Sequence, residues 1–302
     1  MYVMLTGLAA LWGAASGMLL PRAAYRFSVE PEEAWRDTCP AGHALTGFAR
    51  GWLGSTRCAG CAFSVPAVAA TAAGTEPGSA GAADESGAGD GPGASTPTAE
   101  QAAPEPTPAG SAAGSDAAPP AARYAPGVLM PLVTALACAA LAAATGPRPE
   151  LGVWLVLAPV GVLLATVDRR VHRLPDRLTL PAAGAVTALL GIAALLPEHA
   201  GVWVYGLRGG LALGGFYFVL FLINPNGMGF GDVKLAVSLG VALGWYGWTV
   251  LIVGGFAGFL LGAVYGFGLL VLRRAGRKTG IPFGPFMITG ALLGLLLGGL
   301  AA

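Results

Sequence analysis

The sequence predicts an all-α fold, a polytopic membrane helix bundle with about eight transmembrane segments and a large, partly disordered cytoplasmic loop. Of the 302 residues, 55% are hydrophobic and only 11% are charged, whereas soluble domains carry about 25% charged residues. The mean hydropathy is +0.66, and eight apolar runs approach the length that a bilayer requires. The net charge of +1 provides no electrostatic basis for nucleic-acid binding, so no nucleic-acid partner is expected.

The apolar runs define the predicted helices. They are residues 2–20, 127–145, 151–167, 178–196, 202–223, 235–243, 248–272 and 283–300. The first run has no basic segment before it, so it is predicted to be an anchor helix and not a cleaved signal peptide. The sixth run is short for a span, and its helix is expected to begin near Asp232. Glycines every four residues in the last two runs indicate close helix packing.

Arginines and lysines in alternate loops predict the orientation of the helices. Four arginines separate the third and fourth runs, Lys234 follows the fifth, and another basic group follows the seventh. If these loops are cytoplasmic, both termini face outward and the long loop of residues 21–126 is cytoplasmic. The aspartates Asp168, Asp176 and Asp232 then lie on the cytoplasmic side.

The long loop has two parts of different composition. Residues 21–65 contain three of the four cysteines, whereas residues 66–126 form a linker rich in alanine, glycine and proline that is also acidic. Such a linker cannot bury enough apolar surface to offset its chain entropy, so it is predicted to be disordered. The predicted organisation is a first transmembrane helix (1–20), a cysteine-containing loop (21–65), the linker, and a membrane-embedded domain (127–302).

Two aspartates in the membrane-embedded domain carry the predicted chemistry. Asp168 closes the third apolar run, and a glycine-rich turn delivers Asp232 at the start of the sixth helix. Gly229 and Gly231 have no Cβ, so this turn would let another backbone approach closely. Two adjacent aspartates share a proton, so one can act as a base on water while the other acts as an acid. Such a pair suits hydrolysis of a peptide bond without a metal or a covalent intermediate.

Three motifs occur in an order that resembles the type IV prepilin peptidases, a family of integral-membrane aspartic proteases. Residues 229–234 read Gly-Phe-Gly-Asp-Val-Lys, like the family's Gly-x-Gly-Asp-x-Lys. Asp168 is followed by Pro175-Asp176, and residues 281–286 read Ile-Pro-Phe-Gly-Pro-Phe, as the family's last cytoplasmic loop often does. The resemblance implies that Asp168 and Asp232 are the catalytic pair.

The same resemblance implies roles for the neighbouring motif residues. Gly229, Gly231, Lys234, Pro175 and Asp176 would form the active-site loops. Asp176 follows a proline near a helix start, so a capping or structural role and a catalytic role both remain open. Lys234 would either bind lipid headgroups or steady the active-site loop.

The resemblance also implies a substrate and a location. The substrate would be a type IV prepilin or pseudopilin precursor, whose leader peptide is cleaved at the cytoplasmic face of the bacterial inner membrane. The partners would therefore be this precursor and the lipid bilayer. The peptidase needs no cofactor, but family members commonly also methylate the new N-terminus with S-adenosylmethionine. That cofactor is implied only if the methyltransferase activity is retained.

The cysteine loop matches the family in part. Family members often carry Cys-Pro-x-Cys and Cys-x-x-Cys pairs that form an expected zinc site. Here Cys58 and Cys61 match the second pair, whereas the first reads Cys39-Pro-Ala-Gly-His43 and lacks its second cysteine. Because zinc accepts sulfur and imidazole ligands together, Cys39, His43, Cys58 and Cys61 could hold Zn²⁺. The alternative is a degenerate loop with three idle thiols.

The alternative function is a non-enzymatic membrane transporter, or a pilus or secretion assembly factor that retains the same fold. Acidic residues within a membrane also mark proton pathways. Transporters, however, place their binding sites near the middle of the bilayer. Asp168 and Asp232 lie at the ends of apolar runs, which favours the peptidase.

Overall fold

The computed structural model describes residues 2–30, 33–54, 58, 61, 128–225, 228–272 and 282–302. Its long helices, numbered in chain order, are α1 Tyr2–Phe27, α2 Leu129–Thr145, α3 Glu150–Val171, α4 Asp176–Ala193, α5 Trp203–Ile223, α6 Phe230–Gly244, α7 Trp248–Val271 and α8 Gly284–Ala301. In the cysteine loop, Phe48–Gly51 forms a turn in which Ala49 and Arg50 have left-handed backbone angles, φ 51° and 57°. The described part of the chain has one isolated β-bridge and no strand. The all-α fold is confirmed, and the predicted linker lies outside the described residues.

The helices identify a multi-pass membrane protein. Five of them, α1, α3, α5, α7 and α8, are long and apolar enough to cross a bilayer. The other three correspond to the remaining predicted runs, and two of these are short, with 17 residues in α2 and 15 in α6. Helix α6 begins at Phe230, two residues before Asp232, so the expected start of the sixth helix is confirmed.

Helix α1 continues seven residues beyond the predicted apolar run. Its last two turns contain Arg22 and Arg26. These charged residues lie beyond the apolar run that the sequence predicts as a membrane span. Arg26 forms an ion pair with Asp37, and Arg22 Nη1 donates a hydrogen bond to the carbonyl of Thr46 over 2.6 Å. The cysteine loop therefore stabilises a polar extension of the first helix.

Helix α6 lies at the centre of the bundle, where it packs against α4, α5, α7 and α8. Small residues make this packing possible. A Cβ on Gly240 of α6 would lie 2.9 Å from the carbonyl carbon of Gly209 in α5, and closer still to its oxygen. Between α7 and α8, a Cβ on Gly290 would lie 2.6 Å from the Cα atom of Gly258. The glycines thus set the spacing between α6 and α5 and between α7 and α8.

Candidate active site

Asp168 lies in the last turn of α3 and is buried, with 4% of its surface exposed. The helix ends three residues later because His172 adopts a left-handed conformation, φ 51°. The Asp168 Oδ2 atom accepts a hydrogen bond from the backbone N–H of Gly284 over 2.9 Å. A Cβ on Gly284 would lie 2.8 Å from that oxygen, so a glycine at the start of α8 makes the contact possible.

Asp232 is the third residue of α6 and is 8% exposed. Its carboxylate accepts a hydrogen bond from the backbone of Gly229, the residue that precedes the helix. This contact is half of a capping box, in which an acidic side chain in the first turn satisfies a free backbone N–H. The carboxylate is therefore fixed relative to the axis of α6.

The two aspartates line one cavity of about 310 Å³, although they are 64 positions apart in sequence. Their carboxylates are close enough to interact electrostatically. Because a water molecule occupies about 30 Å³ in the liquid, the cavity has room for about ten. It can therefore contain a catalytic water and part of a peptide backbone. His172, Arg173 and Leu174 of the loop between α3 and α4 also line it.

Lys234 and Asp176 form an ion pair at the rim of this cavity. Lys234 Nζ lies 2.7 Å from Asp176 Oδ1, and it also lies 4.9 Å from the ring centroid of Phe230. The Asp176 side chain is 61% exposed, and the Lys234 side chain is 19% exposed. Pro175 is the N-cap residue of α4, and the described residues contain no side-chain cap on that helix. The pair thus connects the start of α4 to the first turn of α6.

The two motif glycines of the turn before α6 differ in their surroundings. A Cβ on Gly231 would lie 2.8 Å from the Cβ atom of Leu174, so this position brings the turn against the loop between α3 and α4. A Cβ on Gly229 would have ordinary van der Waals contact, 3.7 Å, with Asp232 Oδ2. Gly231 is therefore the glycine of this pair that the packing requires.

The contact of Gly284 with Asp168 is a feature of the site that the sequence motifs do not predict. The motif of residues 281–286 contains Gly284, but it does not show which residue the glycine approaches. The signal lies in Phe283-Gly284-Pro285, where a glycine precedes a proline at a helix start. Proline is common in the first turn of a helix, where the free backbone N–H groups lie, and Gly284 donates one of these groups to the carboxylate.

Three cysteines and a histidine of the cysteine loop come together. Cys39, His43, Cys58 and Cys61 each offer one ligand atom, and these atoms all lie within 4.8 Å of one another. The Sγ atoms of Cys39 and Cys61 are 3.7 Å apart, and His43 Nδ1 lies 3.6 Å and 3.4 Å from them. Tetrahedral zinc with bonds of about 2.0–2.3 Å has ligand–ligand edges of roughly 3.5–3.8 Å. The cluster therefore fits a metal ion.

Two of these thiols have shifted pKa values in opposite directions. Burial raises the pKa of Cys39, but hydrogen bonds from the Ala41 and His43 backbones and from the His43 and Cys61 side chains outweigh it. The net pKa of Cys39 is lowered to about 6. Burial and the neighbouring Cys39 and Cys58 thiols raise the pKa of Cys61 to about 11. Since metals bind the thiolate form, Cys39 is prepared as a ligand, and a metal would have to displace the Cys61 proton.

Comparison with known families identifies the membrane-embedded segment. Residues 155–267 match the family model of the type IV leader peptidases, and this range includes both Asp168 and Asp232. This segment is similar to the type IV leader peptidases. The resemblance predicted from the sequence motifs is confirmed for the part of the chain that contains the aspartate cavity.

Individual proteins similar to this chain are named prepilin leader peptidase/N-methyltransferase. The relative from Aeromonas hydrophila is 35% identical over 184 residues, which cover 60% of this chain and 60% of the relative. Relatives from Pseudomonas aeruginosa and Bacillus subtilis are 32% and 30% identical, covering 56% and 55% of this chain and 58% and 64% of their own lengths. The chain thus spans about six tenths of the length of the curated relatives it matches. No solved structure matches it.

Proposed function

We propose that this chain is an integral-membrane aspartic endopeptidase that cleaves the leader peptide from type IV prepilin or pseudopilin precursors. The observation that carries the proposal is the shared cavity of Asp168 and Asp232, two buried carboxylates on different helices. The leader peptidase match over residues 155–267 and the names of the relatives support the same activity.

In the proposed reaction, a water molecule lies between the two carboxyl groups, one ionised and one protonated. The ionised carboxylate accepts a proton from the water, whose oxygen attacks the carbonyl carbon of the scissile peptide bond. The protonated carboxyl group donates its proton to the carbonyl oxygen. When the tetrahedral intermediate collapses, the C–N bond breaks and the departing nitrogen takes the proton held by the first carboxylate. One hydroxyl of the intermediate returns its proton to the second carboxylate as the new carbonyl forms, which restores the original pair. The Gly284 N–H holds Asp168 in place throughout.

The proposed location is the cytoplasmic face of the bacterial inner membrane. Asp168 lies in the last turn of α3 and Asp232 in the first turn of α6, so both stand at helix ends and not mid-span. Arginines flank this end of the helices, as positive-inside orientation requires. A precursor with an apolar helix in the bilayer would present its leader at this level.

The cysteine loop has a separate proposed role. Cys39, His43, Cys58 and Cys61 would hold Zn²⁺, which supplies a structural cross-link between the two halves of the loop. The peptidase reaction does not use it, because the aspartate pair activates water by itself. N-methylation of the new N-terminus is proposed as a second activity that would require S-adenosylmethionine, in keeping with the names of the relatives.

The test replaces each aspartate with asparagine. With either Asp168→Asn or Asp232→Asn, cleavage of a candidate prepilin by protein reconstituted in vesicles should fall at least about 100-fold, because the acid–base pair is lost. Glu198→Gln removes an exposed acid outside the cavity and serves as the matched control. Mass spectrometry of the product detects cleavage and N-methylation in the same sample.

Two outcomes separate the peptidase from its alternative. Uncleaved precursor should accumulate with each aspartate variant while the variant proteins insert into the membrane normally. Undiminished cleavage by both variants would remove the enzyme assignment and leave the transporter or assembly factor.

A further inference from the structure

A second cavity, of about 640 Å³, lies inside the membrane-embedded bundle and is apolar. It is lined by residues of α2, α3, α4, α6 and α8, with Met130, Trp154, Val186 and Leu292 among them. The aspartate cavity has a different lining and shares none of these residues. We call this second space the apolar cavity, and the proposed peptidase reaction makes no use of it.

One face of α3 runs along the whole apolar cavity. Residues three and four apart line it in succession: 154, 157, 158, 161, 162, 165, 166 and 169. This spacing is that of one side of an α-helix. At 1.5 Å per residue, the face from Trp154 to Arg169 is about 22 Å long. It therefore extends deeper than one leaflet of the hydrocarbon core, which is about 15 Å thick.

The interior of the apolar cavity has few polar groups that could form hydrogen bonds with water. Its hydroxyl groups bond to their own helices, with Thr166 Oγ1 donating to the carbonyl of Val162 over 2.8 Å and Ser238 Oγ to that of Lys234 over 3.5 Å. A buried water needs two to four polar partners. Protein interiors are otherwise close-packed, so an apolar space of this size calls for an apolar occupant. In a bilayer, the abundant apolar molecules are lipid acyl chains.

One end of the apolar cavity is strongly basic. Arg169 and Arg170 line it, and both are exposed. Arg170 lies close enough to Arg169 and Arg36 to be repelled by them. Over residues 2–30, 33–54, 128–225, 228–272 and 282–302, neither Arg169 nor Arg170 forms an ion pair. Basic pockets between transmembrane helices are suited to anionic lipid headgroups.

We propose that the apolar cavity binds an anionic phospholipid, with an acyl chain along the face of α3 and the headgroup phosphate at Arg169 and Arg170. The charge at one end favours a lipid, because an anionic headgroup there would be paired with Arg169 and Arg170. Because Asp168 and Arg169 point about 100° apart on α3, the lipid and the precursor would occupy different sides of that helix.

The experiment measures the thermal midpoint of the delipidated, detergent-solubilised chain during lipid titration. Phosphatidylglycerol and phosphatidylcholine with identical acyl chains separate headgroup charge from chain burial, and glycerol phosphate tests the phosphate alone. Phosphatidylglycerol should stabilise the wild type at a concentration at least about tenfold lower than phosphatidylcholine, since two arginines contact the phosphate. Glycerol phosphate should have no effect. Equal response to the two lipids, or stabilisation by glycerol phosphate alone, would overturn the proposal.

Arginine variants test whether the lipid headgroup binds at Arg169 and Arg170. The double change Arg169→Gln and Arg170→Gln should reduce the phosphatidylglycerol preference to less than about threefold, whereas Arg208→Gln, an exposed arginine of α5 outside the cavity, should keep it. An equal loss of the phosphatidylglycerol preference in the Arg208 variant would mean that any positive charge on the protein attracts the lipid, without a specific site. If the double variant does not insert, native mass spectrometry of the wild type decides: one phosphatidylglycerol should remain bound per chain. Loss of all lipid, or displacement of labelled lipid by a neutral transmembrane peptide, would refute a lipid site.

Discussion

A glycine in one helix positions a carboxylate in another, and this single contact is the sharpest residue-scale feature of the candidate site. Gly284 donates its N–H to Asp168 Oδ2, and the missing Cβ leaves space for that oxygen. A carboxylate that binds water for attack must be held within a fraction of an ångström, because a displacement of about 1 Å can cost about 100-fold in rate. Even the single methyl group of an alanine at position 284 should therefore displace the Asp168 carboxylate.

We expect Gly284→Ala to lower precursor cleavage by about 10- to 100-fold while the protein still inserts. The added Cβ would lie 2.8 Å from Asp168 Oδ2, so the carboxylate must move away from the shared cavity. The measurement is the initial rate of prepilin cleavage, normalised to the amount of folded protein. Gly152→Ala is the matched control, since a Cβ on this α3 glycine meets nothing within 4 Å. Equal activity of the two alanine variants would show that Gly284 does not position the carboxylate.

The sequence predicted the two aspartates but not the glycine that holds one of them. Asp168 and Asp232 are conspicuous because acids are rare in this half of the chain, where five remain after residue 126. The contact of Gly284 with Asp168 joins residues 116 positions apart. Such long-range contacts come from helix packing, which a pattern of residue types in one segment does not report.

At the scale of helices, the ion pair of Asp176 and Lys234 connects the start of α4 to the start of α6. Because the Asp176 side chain is 61% exposed, solvent screens the pair, and such pairs contribute about 0–1 kcal/mol. We therefore infer that Asp176 positions the helix ends and does not activate water. Lys234 has a protein carboxylate as its partner, which favours the loop-steadying role among the two that the sequence left open.

We expect Asp176→Asn to lower precursor cleavage by less than about fivefold, the rate equivalent of 1 kcal/mol. Lys234→Gln should have an effect of similar size, and the double variant should be no worse than either single variant, because both remove the same contact. Initial cleavage rates of the four proteins form the required double-mutant cycle. A loss with Asp176→Asn as severe as that with Asp168→Asn would instead assign Asp176 to the catalytic machinery.

The helix pattern was predictable because hydrophobicity alone identifies apolar segments of about the right length. All eight predicted runs lie in helices of the structure, with ends that differ by a few residues in most cases. The large difference is at α1, whose end at Phe27 depends on contacts of Arg22 and Arg26 with the cysteine loop. Hydropathy could not predict a polar helical extension that distant residues stabilise.

At the scale of the whole molecule, the cysteine loop is attached to the membrane bundle by aromatic and cationic side chains. Phe27, Trp35 and Trp52 contact one another, with ring centroids 4.7–5.4 Å apart. Arg26 of α1 lies 4.2 Å from the Trp52 ring, and Arg177 of α4 lies 4.6 Å from the Trp35 ring. These contacts connect the proposed zinc site to the first turn of α4, next to Asp176.

We expect the purified chain to contain about one zinc ion, and Cys58→Ser to release it. Replacement of one thiolate leaves three of the four ligands that tetrahedral zinc requires. The zinc content is measured by elemental mass spectrometry, in protein prepared without added zinc. Cys138→Ala is the control, because Cys138 is buried in α2 and lies outside the cluster.

Removal of this zinc should alter the cysteine loop but spare the peptidase. The fluorescence of Trp35 and Trp52 should change when a chelator removes the metal, because structural zinc sites fold the segments that supply their ligands. Precursor cleavage should stay within about fivefold of its original rate, since in the proposed reaction Asp168 and Asp232 activate water without a metal. If freshly purified protein contains no zinc, the loop is degenerate and its thiols are idle. If chelation abolishes cleavage, the loop contributes to the peptidase site through its contacts with α4.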